Sequence, residues 1–102
     1  MKFHGNSKQS AKEHHLYEIV NSETNELLKY GISGKLLNSD GSSPRANEQL
    51  KQFNIAAGWL KFFSNILLFG IPGRLEAKRI EKEYIQKYIE KNGKRPDGNL
   101  VD

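Results

Sequence analysis

The chain has 102 residues, enough for one independently folding domain and too few for two. With 36 % apolar residues and nine glycines its composition is that of a globular chain, and the absence of cysteine excludes both a disulfide scaffold and a thiolate zinc site. Sixteen basic against twelve acidic residues leave a net charge of +4, which points to a polyanionic partner sooner than to an acidic protein.

Residues 1–13 are polar and carry no periodic apolar pattern, so they read as a linker or frayed terminus ahead of a single domain over 14–102. From His14 to Val20, Tyr17, Ile19 and Val20 are typical of a strand. The turn residues Asn21 to Glu26 lead to a second strand, Leu27 to Ser33, and an antiparallel hairpin is the economical connection. After a polar loop, Ser43 and Pro44 form an N-cap and first-turn pair. The helix they open places Ala46, Leu50, Phe53 and Ala57 on one face, and Gly58 ends it. Trp59 to Phe69 reads as a third strand, with a short helix ahead of the strand as the alternative. Gly70, Pro72 and Gly73 break the chain before a long helix from about Leu75 to Lys91, stopped by Gly93. The longest apolar stretch, Ile66 to Ile71, is far too short to span a bilayer, so no membrane partner is expected. The first ten residues lack the apolar core of a signal peptide.

Charge is concentrated near the end of the chain. Between Arg74 and Arg95 eight basic residues stand against four acids, so this segment holds a net charge equal to that of the whole chain. A basic stripe on one helix is either a solvated face or the footprint of a nucleic-acid binder.

Several positions stand out. Glu81 falls in the middle of the apolar arc formed by Ala77, Ile80, Tyr84, Ile85 and Tyr88, where a carboxylate must either be paired or hold a cation such as magnesium. Arg45 puts a cation in a helix's first turn; it either reaches back to Asp40 or joins the free amides in a phosphate cradle. Tyr17 and Tyr30 on adjacent strands are ordinary packing residues unless a site claims them. Gly31 inside a strand marks a bulge or a close backbone approach. His14 and His15 are adjacent and point to opposite faces, which disfavours joint chelation of a metal.

Taken together, HLYEIV, KYGISG, an arginine at a helix start, a glutamate on a later helix and a terminal asparagine resemble the GIY-YIG nuclease superfamily. More narrowly, the chain is similar to its small URI-type members in bacterial polymorphic toxins. The resemblance runs from about His15 to Asn99 and rests on the order and spacing of short motifs. It implies an α+β fold, a small three-stranded antiparallel sheet flanked by helices in the order β-β-α-β-α. Tyr17 matches the tyrosine of the first motif, with His15 where that motif has glycine. Gly31 matches the glycine of the second motif, whose tyrosine then falls on Lys29 rather than Tyr30. Either Lys29 takes the tyrosine's place, or a bulge at Gly31 lets Tyr30 in, or the domain has lost catalysis.

The resemblance implies a metal-dependent endonuclease. Glu81 would hold one Mg2+ or Mn2+ ion, Tyr17 with Lys29 would position and deprotonate the attacking water, and Arg45 would stabilise charge on the phosphate. Asn99 would hold the final turn or a phosphate oxygen, and Lys78, Arg79 and Lys82 would make sequence-independent backbone contacts. It further implies delivery as part of a larger secreted toxin, action in the target-cell cytoplasm, and a cognate immunity protein. The alternative is a non-catalytic nucleic-acid-binding module that kept the fold.

Overall fold

The structure, a computed structural model, describes residues 12–99. The expected polar linker lies outside the described residues apart from Lys12 and Glu13, and Glu13 already opens the first strand. The elements are β1 (Glu13–Asn21), β2 (Leu27–Ser33), α1 (Pro44–Ala57), β3 (Phe62–Pro72) and α2 (Arg74–Asn92). The fold is thus α+β in the expected order. Its three strands form one antiparallel sheet in the order β2-β1-β3.

β1 is central because both of its faces are apolar. Leu16 packs with Ile71 and Ala77 in the cluster beneath α2, whereas Tyr17 and Ile19 pack with Ala46 in the cluster beneath α1. Alternation along the strand therefore sends neighbouring residues to different helices, and the sheet lies between them. The hairpin from β1 to β2 turns on Asn21, whose Oδ1 accepts hydrogen bonds from the amides of Glu23 (2.8 Å) and Thr24 (3.2 Å), and on Asn25 at φ 59°. Ser43 caps α1 by accepting the Ala46 amide.

The third strand starts and ends later than its composition suggests. Trp59 and Leu60 are exposed, and the strand opens at Phe62, whose N–H donates to Asn54 Oδ1 (2.8 Å) and whose carbonyl accepts from Asn54 Nδ2 (3.2 Å). No helix precedes it in this stretch. At its other end the strand continues through Gly70 to Pro72, because register shifts against β1 around Leu16 absorb the extra residues. Pro72 is tolerated because β3 is an edge strand. The break falls at Gly73 alone, which adopts φ 90° immediately before α2.

Candidate active site

Residues from four elements meet in a cavity of about 330 Å³ beside β2, the other edge strand. Tyr17 comes from β1, Lys29 from β2, Arg45 from α1 and Glu81 from α2, with Lys78 and Asn99 also on its wall. Three cations thus surround one carboxylate, a balance suited to an anionic ligand.

The pairing of Tyr17 with Gly31 explains the glycine. The two are cross-strand partners, and the tyrosine ring lies over the bare Cα. A methyl group on residue 31 would approach Tyr17 Cε1 to 2.8 Å and would come closer still to Cζ and Oη. Glycine therefore marks a close approach here and not a bulge. Beyond the glycine, the Tyr17 hydroxyl donates to Gln49 Oε1 at 2.5 Å. Gln49, also on the cavity wall, was not anticipated from the sequence. Its signal is spacing alone: it stands one turn after Arg45, on the same face of α1.

The register sets Lys29 and Tyr30 on opposite faces of β2, although both line the cavity. The irregularity between β1 and β2 lies at Ile19/Val20, opposite Leu28, and not at Gly31. Lys29 consequently pairs with Ile19 on the face that carries Tyr17 and Gly31. Tyr30 pairs with Glu18 and packs its ring edge-on against Tyr84, 5.3 Å between centroids, in the cluster under α2.

Electrostatics separates the two candidate proton carriers. Burial pushes the Tyr17 hydroxyl up to about 12, against the opposing pull of the Arg45 guanidinium, while the Glu81 charge adds to the rise. Burial moves Lys29 below its ordinary value; Glu81 opposes that shift and Arg45 adds to it. The tyrosine thus moves away from neutrality and the lysine toward it, the reverse of a lysine-activated tyrosine base. Glu81 is half-buried and electrostatically coupled to both.

The remaining residues expected at the site sit at its margins. His15 Nε2 and the Ser43 hydroxyl share a buried 2.7 Å hydrogen bond, which ties β1 to the cap of α1. Burial, and then the charge of His14, lowers the His15 pKa. Asn99 is buried with its amide committed to one residue: Nδ2 donates to the Tyr30 carbonyl (2.9 Å) and Oδ1 accepts the Tyr30 amide (2.8 Å). Arg79 is engaged within its own helix, with two contacts to Glu76 at 2.7 Å and one to Glu83 at 2.5 Å. Lys82 does not line that cavity but a neighbouring hollow along α2, which shares Lys78 and Glu81 with it. Asp40 accepts the Ser42 amide and hydroxyl, while Arg45 faces the cavity.

No group of three or more histidine or acidic side chains able to hold a metal occurs among the described residues. A single half-buried carboxylate on a cavity wall nevertheless suits magnesium, which keeps several waters and takes one or two carboxylates together with substrate phosphate.

Among the described residues no helix is long and apolar enough to cross a membrane. No curated protein and no solved structure matches the chain. A family model described as "URI fold toxin 2" matches residues 7–93. That span takes in β1, β2, both helices and every cavity residue named above except Asn99, and the chain accordingly belongs to the URI fold toxin 2 family.

Proposed function

We propose that this toxin domain is a metal-dependent endonuclease of the GIY-YIG type, cleaving phosphodiester bonds of nucleic acid. The observation that carries the reading is the convergence of Tyr17, Lys29, Arg45 and Glu81, from four separate elements, on one cation-rich cavity. Glu81 would hold the divalent ion, which when bound would supply Lewis-acid stabilisation of the phosphate's developing charge. Arg45, in the first turn of α1, neutralises the phosphate and orients it. The Tyr17 hydroxyl, steered by Gln49, remains protonated and positions the attacking water. Lys29, whose burial favours its neutral form, is the group placed to accept that water's proton as the new phosphorus–oxygen bond forms and the scissile one breaks. In a polymorphic toxin, this activity requires a cognate immunity protein in the producing cell and a nucleic-acid target in the recipient cytoplasm.

The test is incubation of the domain with plasmid DNA and total RNA, in Mg2+, in Mn2+ or in EDTA. Degradation that needs the metal and is lost in Glu81→Ala is the expected result. A salt-sensitive mobility shift with no cleavage would replace the reading with a nucleic-acid-binding module.

A further inference from the structure

Next to the candidate site lies a second hollow, of about 470 Å³, whose lining includes Lys12, His14, Lys35, Arg45 and Arg74 and no carboxylate. Arg45 and Ile32 line both cavities, so the two are adjacent. The cations come from four separate places in the chain: just before β1, just after β2, and the first turns of α1 and α2. The N-terminal ends of both helices add their partial positive charge to the same region.

The hollow has a fixed wall. His14 is only 3 % exposed, and its Nδ1 donates to the Lys12 carbonyl at 2.9 Å, since a carbonyl can only accept. The turn after β2 closes against this pair at Gly34, where a methyl group would lie 2.6 Å from Lys12 Cε and 2.9 Å from His14 Nε2.

The basic stripe of α2 offers a poorer surface for phosphate. Arg79 is neutralised by Glu76 and Glu83. The hollow along that side, about 590 Å³, is walled by Pro72, Leu75 and Ile85 and carries two carboxylates, Glu76 and Glu81.

We infer that the carboxylate-free trough carries the nucleic-acid backbone on one side of the phosphate held in the Tyr17 cavity, with Arg45 shared between the two. This rests on the nuclease reading and moves the main backbone contacts from α2 to Lys35, Arg74 and their neighbours. The experiment measures the affinity of the whole domain for a labelled oligonucleotide, in EDTA, across a range of salt concentrations. Each phosphate contact contributes about 0.7 to 0.9 to the slope of log K against log salt. Combining Lys35→Ala with Arg74→Ala should therefore flatten the slope by about 1.4 to 1.8. The charge-preserving pair Lys35→Arg with Arg74→Lys should restore it, which separates lost charge from lost fold. Lys82→Ala with Lys87→Ala, on α2, should leave the slope unchanged. A parental slope in the trough variant, with a flattened slope in the α2 variant, would overturn the trough and leave the nuclease reading standing. A parent domain that binds no oligonucleotide would overturn both.

Discussion

Gly31 shows how a single absent side chain shapes the site. Its bare Cα lets the Tyr17 ring cross the sheet edge and reach Gln49. Gly31→Ala should displace that ring, lowering cleavage by about 100-fold for a misplacement of about 1 Å, with a stability loss of about 1–3 kcal/mol. Activity close to the parent's would show that the ring does not need this position. Lys29 gives the chemical test. Lys29→Arg keeps the charge but cannot release a proton at neutral pH, so it should lower the rate by about 10²–10⁴-fold. Parental cleavage should rise as pH climbs through the depressed lysine pKa, and the arginine variant should lack that rise. An unaltered rate would leave Lys29 as a charge and nothing more. Alternation along a strand puts residues 29 and 31 on one face, as the register shows, but the sequence left open a bulge at Gly31 that would have brought Tyr30 in. Gln49 was not read from the sequence: its one signal, a spacing of one turn from Arg45, does not announce a tyrosine two elements away.

The elements were easier to read than the contacts that bound them. β2 runs over the expected residues, and Ser43, Gly58 and Gly93 cap their helices as their chemistry requires. β3 was placed three residues too early because its start depends on the Asn54 side chain and its end on register shifts, both tertiary events. Asn99 plays at the other edge of the sheet the part that Asn54 plays on β3: its amide satisfies both backbone groups of Tyr30. With the Gly98 amide donating to the Leu28 carbonyl at 2.6 Å, it fastens the end of the described chain to β2 beside Lys29. Asn99→Ala should lower unfolding stability by about 1–3 kcal/mol by orphaning those groups, measurable by urea denaturation. An unchanged midpoint would mean that water replaces the amide. His15 ties β1 to α1 in the same manner, and its pH behaviour is distinctive. Because its folded pKa is lowered from 6.5, the unfolded chain binds its proton first, so stability should fall as pH drops below 6.5 and level off beneath the folded pKa. His15→Asn should lack that component; an identical profile would exclude His15 as its source.

At the scale of the whole molecule, the central claim is that one site is assembled across a sheet sandwiched between two helices. Arg45 lies on α1 and Glu81 on α2, joined through the cavity and not through the chain. The net charge of +4 raises the expectation of a polyanionic partner. Where the unpaired charge gathers was not legible, because ion pairing within α2 and the gathering of Lys35, Arg45 and Arg74 around one hollow depend on the fold. The most direct measurement is the Mg2+-dependent cleavage rate of four proteins side by side: the parent, Arg45→Ala, Glu81→Gln and the double variant. Groups that act as one unit lose activity non-additively. The double variant should therefore cleave about as slowly as the worse single variant. Losses that multiply, or single variants that cleave like the parent, would contradict a shared site.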